Sequence, residues 1–506
     1  MSALAQLKEH LATIADLDAA AALLGWDQET YMPPGAIEAR AAQLTTLARM
    51  SHEAFTDETV GRLLDEATAS LGDAPYDSDD ASLVRITRRD WQRATKIPAD
   101  LVGRTARATS LGQQAWQKAR EASRFEDFAA HLEEILSLSR EKAEALGYDE
   151  RIYDPLLTEF EPGMSTTQLE TIFGDLREQL VPIVEALSPP KRTAPAHHAP
   201  RPLDRRFDEQ GQWDFGIKLM EDFGFDFERG RQDRSAHPFT TAFAATDVRV
   251  TTRIREDFLP AGLFGTLHEC GHGLYEQGIA SELARTPLAG GASLGVHESQ
   301  SRLWEILVGR SREFWGHYYP LLCRAFPGKL GDITVDVFYA AANTVCPSLI
   351  RVEADEVTYN LHIMLRFELE KDLLEGGLAV ADLPEAWNAG MKSYLGIEPD
   401  TDADGVLQDI HWSMGAIGYF PTYTLGNLMS AQIFVRLRED IPALQEHIGA
   451  GRFGEMLGWL QDNIYRHGRK FTANELLERM GCGELSAEPW LEYIRSKYGE
   501  LGGVAL

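Results

Sequence analysis

Apolar side chains recur at three- and four-residue intervals along the first part of the chain, and this spacing constrains its fold most strongly. Leu4, Leu7, Leu11, Ile14, Leu17 and Ala21 fall on one face of a helix over roughly 3–24. The same periodicity covers about 36–70, 80–95, 99–122 and 126–147, in segments rich in the good helix formers Ala, Leu, Glu, Arg and Gln. Pro33-Pro34-Gly35 breaks the first pair of helices. Residues 154–166 read as a loop, and Ser165 and Thr166 as caps for a helix over about 167–187. Residues 189–202 read as an exposed, proline-rich connection, in which His197 and His198 have no scaffold to fix them as a metal pair. Between 237 and 253 Thr, Val and Phe increase and DVRVTTR alternates, which predicts a small sheet of two or three strands. Helical patterns resume near 259. Without an internal repeat or a separating linker, residues 1–506 read as one mostly α domain with a small β-sheet.

Charge narrows the partners. Lys and Arg number 49 against 78 Asp and Glu, a formal net charge of −29, so phosphate backbones and anionic lipid are repelled. This disfavours nucleic acid, and an anionic substrate would need a locally placed cation. Cys270, Cys323, Cys346 and Cys482 are too scattered for a disulfide framework or a thiolate zinc site. The first 28 residues carry Lys8, Glu9, Asp16 and Asp18 and lack the apolar core of a signal peptide. No stretch of about 18 uncharged apolar residues occurs. The expectation is a cytoplasmic protein with no membrane partner.

His268-Glu269-Cys270-Gly271-His272 is an HExxH motif within a segment that reads as helix. Residues four apart share a face, so both imidazoles can grip one Zn²⁺ with Glu269 beside them as a base. The bland alternative is an amphipathic helix with two surface histidines. A catalytic zinc takes a third protein ligand and keeps one position open. Glu298, 26 residues after His272, is the expected third ligand, with its neighbour His297 as the rival. A helix, a loop and an antiparallel return helix fit that span. Cys270 lies on roughly the opposite face and reads as a small buried apolar residue.

These residues resemble the M32 metallocarboxypeptidases, the thermostable carboxypeptidase Taq family. Trp26-Asp27-Gln28-Glu29-Thr30-Tyr31-Met32-Pro33-Pro34-Gly35 continuing to Glu38-Ala39-Arg40, Tyr153 to Leu157 and Glu161 to Met164 are similar to segments of that family. So are His237-Pro238-Phe239, Gly265 to His272, His297 to Gln300, Ile350 to Asp355 and Gly405 to Trp412. The resemblance implies a two-lobed helical protein with a deep cleft, zinc at its floor with cobalt able to substitute, and a homodimer. It implies release of single C-terminal residues from peptides, with broad specificity, by attack of zinc-bound water with Glu269 as general base.

Further roles follow on that footing. Arginine pairs bidentately with carboxylate, which makes Arg351 the leading candidate for the substrate terminus. Its alternative is a structural salt bridge to Glu353 or Asp355, and Arg249 and Arg253 are weaker candidates. An oxyanion wants donors beyond the metal. His411 with Tyr419 or Tyr423 can supply them, though either tyrosine could simply pack. His237 could bind substrate or order the turn before Pro238. Asp409 could orient a histidine or equally serve a helix surface or a cap. Residues 26–35 read as a structural hairpin or cleft rim. Two rival functions stand beside the exopeptidase: an endo-acting oligopeptidase or a dipeptidase with the same zinc chemistry, and a noncatalytic helical scaffold.

Overall fold

The computed structural model describes residues 1–188, 203 and 205–506. The expected connection 189–202, with His197 and His198, lies outside them. The apolar spacing of the first segment becomes helix α1, Ala3–Thr30, with Leu7, Leu11 and Ile14 buried beneath it. The expected helix over 36–70 is two, α2 (Ile37–Thr56) and α3 (Glu58–Leu71). Asp57 divides them, because its side chain accepts the Thr59 amide and caps α3 instead of continuing α2. Helices α4 (Asp79–Lys96), α5 (Ala99–Ala122) and α6 (Glu126–Leu146) follow the expected bounds closely.

Residues 154–160 are not loop but helix α7 (Asp154–Phe160). Pro155 sits in its first turn, where a missing N–H costs nothing. Helix α8 (Thr166–Leu187) starts from Ser165 through a capping box with Gln168.

Contacts divide the chain into two compact units, each assembled from three stretches. The first comprises Met1–Thr95, Ala199–Ala342 and Ile433–Glu484; the second comprises Lys96–His198, Asn343–Gln432 and Leu485–Leu506. In the first, Leu7, Leu11 and Ile14 of α1 close on Leu63 and Leu64 of α3 and Leu83 and Ile86 of α4 in one apolar cluster. The same unit holds α9 (Glu209–Phe223) and the sheet of β1 (Gly230–Arg234), β2 (Thr240–Ala244) and β3 (Asp247–Thr252). The order is β1-β3-β2, with β1 parallel and β2 antiparallel to the central strand. Val248 and Val250 of β3 are fully buried. The sheet is braced from α1: Trp26 lies beneath the Arg249 guanidinium at 4.9 Å, and the Tyr31 hydroxyl donates to Asp233 at 2.5 Å. Asp27 pairs with buried Arg40 at 2.6 Å. Residues 26–40 are thus tied to the sheet and to each other.

Helix α10 (Leu259–Gly278) carries the HExxH motif against the sheet. Gly273 permits that approach, since a Cβ there would meet Val250 at 3.1 Å and Phe225 at 2.8 Å. A short α11 (Leu294–Arg302) returns along α10 and runs into a π-helical turn, Leu303–Val308. Gly271 sets this second approach: a Cβ would stand 2.6 Å from the Gln300 carbonyl oxygen. Among the described residues no helix is long and apolar enough to cross a membrane.

Candidate metal centre

The four-residue spacing of His268 and His272 brings both rings to one face of α10, with centroids 5.0 Å apart. Helix α11 delivers Glu298 to the same point. Glu298 Oε2 lies 3.6 Å from His268 Nε2 and 3.5 Å from His272 Nε2. Two ligands on a tetrahedral zinc with bonds of about 2.0–2.1 Å stand about 3.3–3.4 Å apart, so the donor set and its spacing fit such an ion. One ligand atom from each of the three residues falls within 4.8 Å of the others, and among the described residues no further group of three or more His, Cys, Asp or Glu does so.

Each side chain is held by neighbours. His268 Nδ1 faces Glu305 Oε2 at 3.0 Å, leaving Nε2 toward Glu298. Glu305 in turn accepts from Arg310 at 3.0 Å. Glu298 accepts from Arg302 at 2.6 Å and from Ser301 at 3.1 Å. Burial alone would raise both carboxyls. For Glu298, Arg302 and His268 outweigh it and hold the group well below the usual carboxylate range. For Glu305, the bond to His268 and the Arg310 and Arg302 charges bring it down to about 2. Burial depresses the His272 imidazole to about 3, so it is neutral and able to ligate.

Glu269 is buried, and burial raises its carboxyl against the pull of His268 and Thr240. Thr240 Oγ1, at the start of β2, sits 2.8 Å from Glu269 Oε2. His237 is exposed, and its carbonyl accepts from Ser235 Oγ at 2.5 Å. The Phe239 amide donates to Thr251 Oγ1 at 2.9 Å. The His237-Pro238-Phe239 run therefore leads directly into the strand that presents Thr240. Cys270 is fully buried, and desolvation raises its thiol. His297, the rival third ligand, directs its ring elsewhere: Nδ1 lies 2.6 Å from His272 Nδ1 and Nε2 2.7 Å from Glu276 Oε1.

The second unit gathers the other candidates. Arg351 does not pair with Glu353 or Asp355. Asp355 instead accepts the Cys346, Val357 and Thr358 amides. The partner of Arg351 is Asp409, which takes its Nε at 3.0 Å and its Nη2 at 2.8 Å. Asp409 also binds Arg366 Nε at 2.6 Å, from α14 of this unit (Tyr359–Glu375), which follows α12 (Arg312–Ala325) and α13 (Val335–Ala342) in the chain. Burial would raise the Asp409 carboxyl, but Arg366 and Arg351 hold it well below the ordinary range. The expected use of Asp409 to orient a histidine is not realised: His411 Nδ1 is 4.0 Å away, beyond hydrogen-bond reach. Two charge-bearing guanidiniums claim its oxygens more strongly than a neutral ring. Burial lowers His411 to about 4. Its Nε2 lies 3.3 Å from the Tyr423 hydroxyl, whereas Tyr419 packs edge-on against Phe160 and lies beside the His411 ring. In the first unit, Arg249 is spent on Asp247 and Trp26.

Sequence reasoning missed Thr240, Glu276, Arg302, Glu305 and Arg366. Three of these had a signal. Glu276 continues the stripe of His268 and His272 at the next four-residue step, and Arg302 and Glu305 follow Glu298 at four and seven. Thr240 and Arg366 act across long sequence separations and leave no local pattern.

The chain matches the family model of the carboxypeptidase Taq (M32) metallopeptidases over residues 6–498. It is 42% identical to thermostable carboxypeptidase 1 of Thermus thermophilus, covering 99% of this chain and 98% of that one. Carboxypeptidase 1 of Bacillus subtilis is 35% identical over 97% of both. The crystal structure of the M32 carboxypeptidase from Deinococcus radiodurans R1 superposes with a TM-score of 0.95 at 44% identity, covering 99% of this chain and 100% of that one. With this fold and a His-His-Glu cluster able to hold an ion, the chain belongs to the M32 family and is a metallocarboxypeptidase, a hydrolase acting on peptides with a metal cofactor.

Proposed function

We propose that the ion is zinc, with cobalt able to replace it, and that His268, His272 and Glu298 hold it. The enzyme then releases single C-terminal residues from peptides with broad specificity. The observation that carries this reading is the convergence of two imidazole nitrogens and one carboxylate oxygen beside the buried carboxylate of Glu269. A zinc ion held by His268, His272 and Glu298 would lower the pKa of water and polarise the peptide carbonyl. Glu269, oriented by Thr240, takes the proton of the attacking water and passes it to the leaving amine.

His411 with Tyr423 is the proposed donor pair for the developing oxyanion, supported by their mutual hydrogen bond. Tyr419 keeps a packing role beside them. Arg351 is the proposed reader of the substrate carboxylate. Arg351 and Arg366 bring two positive charges to the single carboxylate of Asp409, and that surplus supports an anionic ligand. His237, exposed before β2, is the proposed contact to the substrate backbone or terminus. A homodimer is proposed on family resemblance alone. A cytoplasmic setting is supported by four free cysteines.

Stripping the metal with a chelator and adding back single ions tests the cofactor. Release of terminal amino acids is expected to return with Zn²⁺ or Co²⁺. Turnover that survives complete metal removal would overturn the reading.

A further inference from the structure

Two ring nitrogens facing each other at hydrogen-bond distance must divide their roles, one carrying the proton and the other the lone pair. His272 Nδ1 and His297 Nδ1 are such a pair, 2.6 Å apart. The rest of the chain decides which is which. Glu276 Oε1 lies 2.7 Å from His297 Nε2, and a carboxylate only accepts. His297 therefore carries its proton on Nε2 and offers a lone pair at Nδ1. His272 must then hold its proton on Nδ1, which leaves its Nε2 lone pair facing Glu298 Oε2 at 3.5 Å. The opposite polarity would put a proton where a cation has to bind.

We propose that Glu276 and His297 are positioning residues that fix the tautomer and orientation of His272. This inference rests on the metal site proposed above. The two histidines of the motif are then served differently. His268 is oriented directly by the Glu305 carboxylate, whereas His272 is oriented through an intervening imidazole. The relay is built as well as aligned. Gly291 leaves room for the His297 ring, because a Cβ there would meet its Cδ2 at 2.6 Å. Tyr275 is fully buried and packs on the same ring at 5.1 Å, and its hydroxyl accepts the Ala292 amide at 3.0 Å, so it braces the loop leading into α11. Carboxylates or carbonyls behind ligating histidines commonly set metal affinity by 10–100-fold, and a carboxylate acting through a second histidine is expected to do the same here.

The test is zinc affinity by chelator competition for Glu276→Gln, His297→Ala, their double variant and Glu298→Ala, with thermal melting of each metal-free protein as a control for folding. Glu276→Gln and His297→Ala should each weaken zinc about 10–100-fold. The double variant should be no weaker than His297→Ala, because Glu276 acts only through His297. Multiplying effects, or wild-type affinity in His297→Ala, would overturn the relay. If Glu298→Ala binds zinc like wild type, the metal site itself is wrong and the relay falls with it. If Glu298→Ala loses zinc while His297→Ala does not, only the relay fails. Nitrogen NMR of the zinc-loaded protein with labelled histidine gives an independent reading. His297 protonated at Nε2 is expected, and His297 protonated at Nδ1 would overturn the inference.

Discussion

Replacing Gly271 by alanine sets helix propensity against packing, and the two give opposite signs. In a helix interior the change stabilises by about 0.5–1 kcal/mol, because glycine loses more backbone freedom on folding. At this position the new Cβ would stand 2.6 Å from the Gln300 carbonyl oxygen, 2.8 Å from Ser301 Cα and 3.0 Å from Gln300 C. Ordinary contacts lie near 3.5 Å, so α11 would have to retreat by on the order of 0.5–1 Å. All three atoms are backbone, so no side chain can rotate away. Overpacking of this kind costs about 1–3 kcal/mol, so set against that gain it leaves a net loss of roughly 0–2.5 kcal/mol, centred near 1 kcal/mol. At roughly 2–4 °C per kcal/mol for a unit of this size, melting of the metal-free protein should fall by several degrees. Glu298 rides on the same short helix two residues before Gln300, and metal–ligand distances tolerate only about 0.2 Å. Zinc affinity measured by chelator competition should therefore drop about tenfold or more, as it does when ligand support is disturbed. A higher melting temperature with unchanged zinc affinity would refute the close seating of α11 on α10.

Further outcomes follow from the same geometry. Glu269→Gln should retain zinc by elemental analysis and lose about 10²–10⁴-fold in turnover, the usual contribution of a general base; near-normal turnover would sink that role. Asp409→Asn leaves two buried guanidiniums without a counter-charge, and breaking such a cluster costs about 3–5 kcal/mol; denaturant unfolding of the variant with an unchanged midpoint would contradict it. Glu370 of α14 is fully buried and accepts Tyr153, Trp412 and Gly418, and burial lifts its carboxyl to about 7 against those three bonds. Its folded pKa stands above its unfolded value, so the folded state binds the extra proton between about pH 4.5 and 7 and stability falls across that window by about 3 kcal/mol. The stability difference between wild type and Glu370→Gln should shrink by about 2–2.5 kcal/mol from pH 5 to 7.5, whereas parallel profiles would rule it out.

Much of the first unit could be read in advance because its information is local. The stripe of α1 and the alternation of β3 lie within single segments, and the two histidines need only one helical turn. Misreadings arose where one side chain or proline carried two meanings. Asp57 reads as an ordinary polar position inside a helix and acts as a cap. Residues 154–166 read as a loop, yet Pro155 sits in the first turn of α7. The centre's supporting groups were half visible, since Glu276 and Glu305 extend periodic faces already recognised. What could not be read was pairing over distance. Arg351 had Glu353 and Asp355 as candidate partners on chemistry alone, and only the fold shows that Asp409 takes it while Asp355 turns to backbone amides. Thr240 reaches Glu269 across 29 residues and a strand, with nothing local to announce it.

The most direct measurement is mass spectrometry of one peptide offered as the free acid and as the C-terminal amide to the zinc-loaded enzyme. Stepwise loss of terminal residues from the free acid alone is expected, with that loss weakened in Arg351→Met. Equal cleavage of both forms at internal bonds would contradict a carboxypeptidase that reads the substrate's terminal carboxylate.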